Sequence, residues 1–296
     1  MLPFQAGILQ ALPQHASFLS FSVKPIADKD SVIKALQALS TLVDGERVVL
    51  GLGASLLQLL GQQIAGLHDF SGIPGSLVPL PVTPAALWCW CRESERGELV
   101  HQGRRIRQAL AGVFQVQQAV DAFKYASGRD LSGYEDGTEN PEAEAALTAA
   151  FVQGQGAGLD GGSYVAIQHW LHDFESLEAM SGAQQDDLIG RHKSDNEEFD
   201  EAPVSAHVKR TAQESFTPEA FVLRRSMPWS EQSKAGFHFV AFATSFYAFE
   251  AQLRRMCGAE DGIVDGLFSF TKPVSGAYFW CPAMREGRPD LAVIGL

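Results

Sequence analysis

Apolar positions in the first 125 residues change period several times. HASFLSFSV (15–23) is short, apolar and rich in Phe and Val, which predicts a strand. DSVIKALQALSTLV (30–43) returns its apolar residues at helical spacing, with Val32, Leu36 and Leu39 on one face. RVVLGLG (47–53) reads as a second strand whose glycines lead into a helical ASLLQLLGQQI (54–64). ALWCWCR (86–92) predicts an aromatic strand, GRRIRQALAGVF (103–114) a helix, and VQQAVDAFKY (116–125) a closing strand. The resulting order is strand, helix, strand, strand, helix, strand.

The second half repeats that order with different residues. GSYVAIQHWLHD (162–173) predicts a strand, FESLEAMS (174–181) a helix start, and AFVLRRSMPW (220–229) and GFHFVAFATS (236–245) two strands. SFYAFEAQLRRMCG (245–258) reads as a helix and GAYFWCPA (276–283) as the last strand. Two copies of a split strand-helix-strand unit explain this better than one large fold. Between them lies 141–163, a helical start followed by a Gly- and Gln-rich crossing, which places the boundary near residue 150 and gives units of 1–150 and 151–296. A second irregular stretch, 189–208, is acidic and long enough to be a functional loop or a solvated insertion.

Composition narrows the class. The chain has 296 residues with 46% hydrophobic and 20% charged, an ordinary globular balance able to bury a sizeable core. The net charge of -12, without a basic stripe, argues against nucleic acid. No apolar run reaches a membrane span and the N-terminal residues lack a secretory leader pattern, so a cytoplasmic protein is expected. Cys89, Cys91, Cys257 and Cys281 sit in apolar surroundings and read as reduced core thiols; Cys89-x-Cys91 has no second pair nearby to complete a zinc site.

Three short motifs carry candidate chemistry. In GYEDGTENP (133–141), Asp136 stands on a loop whose flanking glycines permit positive φ and close approach of the backbone to a flat ligand, although Asp-Gly alone is also a common turn. In PVSAHVKRT (203–211), His207 has small or apolar neighbours and reads as pointing inward from an extended segment, as a ligand or as a hydrogen-bonded core residue. In FVLRRSMPW (221–229), Arg224 follows Val222 and Leu223 on a buried strand, where arginine requires an anionic partner.

Together these motifs resemble the dye-decolourising peroxidases, a haem family, and the similarity runs over essentially the whole chain. Gly133 to Gly137 matches the family's Gly-x-x-Asp-Gly, Ser205 to Val208 its histidine motif, and Arg224 to Pro228 its Arg-x-Asn/Ser-Met-Pro, with Ser226 where many members carry Asn. The opening 6–23 and the segment 264–282 match as well. The resemblance implies an α+β fold of two ferredoxin-like units, antiparallel sheets with flanking helices, one haem b per chain held by the second unit, and Asp136 supplied by the first.

The resemblance also assigns roles. His207 would ligate iron, with Asp265 as the candidate partner of its other nitrogen. Asp136 would shuttle a proton between the oxygens of H2O2, and Arg224 would stabilise the charge that develops, with Ser226 beside it. Arg191 would lie near the haem propionates, and Phe239 would pack over the distal edge. Reductants would be bulky aromatic compounds oxidised by one-electron steps, with Tyr134, Tyr247 and Trp229 as aromatics able to relay oxidising equivalents. A haem-storing or iron-releasing protein is the alternative. The remaining histidines are expected to be incidental: His169 and His172 at an edge or surface, His192 solvated, His238 facing outward, and His15, His68 and His101 in loops or at element ends. Exposed sheet edges predict a homodimer or higher oligomer. The apolar end GRPDLAVIGL (287–296) loosely resembles a tag for packaging in a protein shell but reads better as a plain terminus.

Overall fold

Residues 3–296 are described by a computed structural model. Its first four strands are β1 (His15–Val23), β2 (Val48–Leu52), β3 (Leu87–Glu93) and β4 (Phe114–Phe123), interleaved with helices α1 (Lys29–Ser40), α2 (Ala54–Leu60) and α3 (Arg96–Leu110). After α4 (Ala143–Ala150) come β5 (Ser163–His172), the short helices α5 (Phe174–Glu178), α6 (Gly182–Ile189) and α7 (His207–Arg210), then β6 (Leu223–Arg224), β7 (Met227–Glu231), β8 (Lys234–Ala243), α8 (Tyr247–Met256) and β9 (Thr271–Cys281).

The strands pair antiparallel in two runs of the same pattern, β4-β1-β3-β2 and β9-β5-β8-β7, each with its first strand inside. This is the expected α+β arrangement of ferredoxin-like sheets with flanking helices. The runs also join each other, through Leu52 opposite Trp280 and Ala122 opposite Trp229, so the sheet closes on itself as a barrel. Closure removes the exposed edges that sequence reasoning used to predict self-association.

The inner faces of the strands fill the barrel, and helices cover the outer face of most of them but not of β4, whose Gln115, Gln117, Ala119 and Asp121 are exposed. Along β3, Trp88 and Trp90 point into the barrel with Phe18, Phe242 and Phe279, while Cys89 and Cys91 face the helix layer with Leu36, Leu56 and Ile106. Ala146 and Ala150 of α4 join the barrel core. All four cysteines are buried and free. Near the C-terminus, Leu291 and Ile294 pack into the outer core.

Three expectations are corrected. The continuous strand over 220–229 is broken between β6 and β7, which lie along the same edge of β8: the Ser226 hydroxyl accepts the Val240 N–H at 3.2 Å, in place of a backbone carbonyl. His101 sits inside α3, which begins earlier than its apolar spacing suggested. His169 and His238 are not surface residues, because the inner face of β5 and β8 is the barrel core. His238 is 1% exposed and stacks on Phe18 at 4.2 Å, and His169 stacks on Trp229 at 4.1 Å.

Burial holds both rings neutral, His169 lowered to about 4 and His238 pushed well below the ordinary range, with the neighbouring His169 adding to the effect. The unfolded chain protonates each below about 6.5, so stability is full above that pH and is lost as pH falls toward the folded value, by about 1.4 kcal/mol per pH unit per histidine. Urea unfolding at pH 7 and pH 5 should therefore show a large acid-side loss that shrinks in His238→Leu. An equal loss in both proteins would contradict the neutral assignment.

Candidate active site

On the outer face of β5 and β8, opposite the barrel core, lies a cavity of about 880 Å³ counting its mouth. Gln168, Trp170 and His172 of β5 and Phe237 and Phe239 of β8 form its floor, α8 contributes Phe249, Leu253 and Met256, and Leu267 and Phe270 come from the stretch before β9. His207, Asp136 and Arg224, from three distant parts of the sequence, line this one space, and Phe239 joins them.

His207 is not on an extended segment. It opens α7, a single turn of four residues too short to show a helical period in sequence. Its Nδ1 lies 2.8 Å from Asp265 Oδ2, and the Asp265 carboxylate is fully buried. A carboxylate accepts, so Nδ1 is the donor in this contact and Nε2 is the nitrogen that faces outward, with no hydrogen-bond partner among the described residues. Asp265 Oδ1 accepts the Leu267 N–H at 2.9 Å, and the Gly266 N–H donates to Ser205 O at 2.7 Å. The other end of α7 is fixed as firmly: Arg210 donates to both oxygens of Asp261 at 2.7 Å and to Arg255 O at 2.6 Å. One loop thus holds the helix at both ends.

Asp136 sits on a loop that needs its two glycines, Gly133 at φ +95° and Gly137 at φ +82°. Its Oδ1 is 3.4 Å from Arg224 Nε, close enough for an ion pair but not aligned as a hydrogen bond. The loop is tied to the arginine strand by Asn140, whose amide donates to Arg224 O at 3.1 Å and accepts from Arg224 N at 2.8 Å. Arg225, next in sequence, turns the other way. It donates to Ile8 O and Leu9 O, and burial pulls its pKa down to about 10.

Besides Asp265, which stands buried behind His207, two sequence candidates are not brought to the cavity wall. Ser226 is 2% exposed with its hydroxyl on the β8 backbone. Arg191 is drawn instead to two nearby carboxylates, Glu139 and, at 3.0 Å, Glu198. Conversely His172, expected at an edge, is on the wall: it bridges Asp130 Oδ1 at 2.8 Å and Thr271 Oγ1 at 2.7 Å. Burial pushes the Asp130 pKa up, but hydrogen bonds from His172 and Ser132 outweigh it and hold the carboxyl below its ordinary range. Asp130 lies six residues before Asp136, and the only sequence signal for its pair was an unexplained histidine on an apolar strand.

The donor set suits a flat metallocycle. No group of three or more His, Cys, Asp or Glu able to hold a bare ion occurs among the described residues, whereas a single imidazole with a free Nε2 opens into a space walled by aromatic and aliphatic side chains. Such a site fits a metal whose other ligands arrive with it.

The family sequence model described as Dyp-type peroxidase, C-terminal, matches residues 127–286. A dye-decolorizing peroxidase of Mycolicibacterium paratuberculosis is 30% identical over 294 residues, covering 94% of this chain and 83% of the relative. Among solved structures, a variant of Rhodococcus jostii RHA1 DypB in complex with heme is 26% identical, with TM-score 0.82 over 97% of this chain and 96% of that one. An encapsulated DyP-type peroxidase from Mycobacterium smegmatis is 26% identical, with TM-score 0.84 over 93% and 94%.

The Asn140 bridge yields a direct test. Asn140→Ala leaves both partly buried Arg224 backbone groups without their side-chain partner and should cost about 1–3 kcal/mol in chemical denaturation. A change within experimental error would show that the bridge does not hold the loop.

Proposed function

The chain belongs to the Dyp-type peroxidases, haem enzymes that act on hydrogen peroxide, and from that premise we propose that His207 is its axial iron ligand and Asp136 with Arg224 its peroxide-handling pair. The observation that carries this is the free Nε2 of His207, its ring locked by Asp265, on the wall of the same cavity as the Asp136–Arg224 ion pair. When bound, the haem supplies the redox-active iron at which peroxide is reduced.

The protein groups do the rest. Asp265, by accepting the Nδ1 hydrogen bond, orients His207 and would strengthen it as a ligand to iron. Asp136 takes a proton from one peroxide oxygen and returns it to the departing one. Its Oδ2 makes no hydrogen bond among the described residues, whereas Oδ1 faces Arg224. The Arg224 guanidinium stabilises the negative charge that develops as the O–O bond lengthens. The phenylalanine-rich wall excludes water from that event. A storage protein would give this ion pair no task, so the catalytic reading is preferred.

The proposal extends to substrate and place. Bulky aromatic compounds serve as one-electron reductants, the two units meet near residue 150 with the first supplying Asp136 and the second the haem ligand, and four buried free thiols support a reducing, cytoplasmic compartment.

Protein expressed with haem supply should show a Soret band that His207→Ala abolishes, and Asp265→Ala should weaken haem binding roughly 10–100-fold by titration. In stopped flow, Asp136→Ala should slow the spectral response to H2O2 by about 10²–10⁴-fold. A wild-type rate in that variant would remove Asp136 from the mechanism.

A further inference from the structure

A reductant too large for the cavity can be oxidised through a protein group that passes an electron, and a phenol does so readily only where an acceptor takes its proton. The chain has five tyrosines, and the partners of their hydroxyls separate one from the rest. Tyr164 and Tyr247 donate to the backbone carbonyls of Ala65 and Pro218, which do not take up a proton. Tyr278 donates to Glu250 at 3.2 Å but lies away from the cavity wall, and Tyr125 is 44% exposed. Trp170 is on the wall, yet its Nε1 donates to the neutral amide of Gln168.

Tyr134 both lines the cavity and donates to a carboxylate, Asp186 Oδ1, at 2.5 Å. Asp186 is held for this contact: Oδ1 also accepts the Lys193 N–H at 3.1 Å, and Oδ2 lies 3.1 Å from Nδ1 of His192, whose side chain is 49% exposed. The Lys193 ammonium stands 4.8 Å from the centre of the Tyr134 ring. A phenol that loses an electron becomes a strong acid, and a cation above its face makes the charged form still less favourable. The electron can therefore leave only if the proton leaves with it, and an ionised acceptor is already hydrogen-bonded to that proton. Burial, with Asp186 adding to it, pushes the Tyr134 hydroxyl far above the ordinary phenol range, so the ground state keeps its proton.

We propose that Tyr134, with Asp186 as its proton acceptor, is the one-electron donor through which reductants outside the cavity are oxidised. The inference rests on the peroxidase reading above. Tyr134 gives one electron to the peroxide-oxidised cofactor while its O–H bond breaks and an O–H bond forms on Asp186, leaving a neutral phenoxyl radical. One electron from an aromatic reductant and the proton returning from Asp186 restore the phenol; two such cycles deliver two electrons, and the two protons that the two reductant molecules release on oxidation complete the reduction of one H2O2 to two waters.

The test is freeze-quench electron paramagnetic resonance of the haem-loaded protein mixed with one equivalent of H2O2 and no reductant, the radical signal being expressed per haem that has reacted. Wild type grown on ring-deuterated tyrosine should show a narrowed, hence tyrosyl, signal. Tyr134→Phe should lose it, Asp186→Asn should lose most of it, and Asp186→Glu should recover it. Radical formation should be slower in D2O. A normal haem response to peroxide with an undiminished tyrosyl signal in Tyr134→Phe overturns this proposal alone; a bound haem that does not respond to peroxide in any form overturns the peroxidase reading and this proposal with it.

Discussion

The hydrogen bond between His207 Nδ1 and the buried Asp265 carboxylate is the contact on which the site depends. A carboxylate without solvent exposure is costly unless its charge is used, and here it is used on an imidazole N–H and on the Leu267 N–H. The consequence is a ring with one tautomer and one orientation. The same loop carries Asp261, whose two bonds to Arg210 fix the far end of α7. A helix of one turn cannot stand by cooperativity of its own, so its position comes from these two anchors.

Barrel closure decides where that histidine can act. With the inner face of the barrel committed to a Trp- and Phe-rich core, the space that His207 lines lies on the outer face, between β5, β8 and the helices that cover them. The Asp136 loop reaches this space from the first half of the chain. Asn140 joins it to Arg224, while Tyr134 and Thr138, two residues to either side of Asp136, bond to Asp186 and Asn196. Helix α6, through Asp186, and the acidic stretch after it, through Asn196, whose part of the stretch (193–201) sequence alone left open to a solvated insertion, therefore hold the Asp136 loop in place.

What was legible in the sequence had local causes. Strands and helices of the barrel and its outer layer show in their apolar spacing, and the segments around Asp136, His207 and Arg224, which the fold brings to one cavity, stand out as short motifs, whereas Phe239 and Asp265 were named only through the family resemblance. What was not legible depends on closure. His169, His172 and His238 look like edge or surface residues on an open sheet, but a closed one buries both faces of β5 and β8. The break at Ser226 arises from a hydroxyl substituting for a backbone acceptor, and Arg191 is diverted by Glu139 and Glu198, which come from loops that periodicity does not describe.

The account stands most directly on where iron binds. Crystals of the haem-loaded protein, measured with X-rays at the iron absorption edge, should show one anomalous peak per chain adjoining Nε2 of His207, with Asp265 still bonded to Nδ1. A peak elsewhere, or a His207 ring turned away from it, would contradict the assignment of this histidine as the ligand.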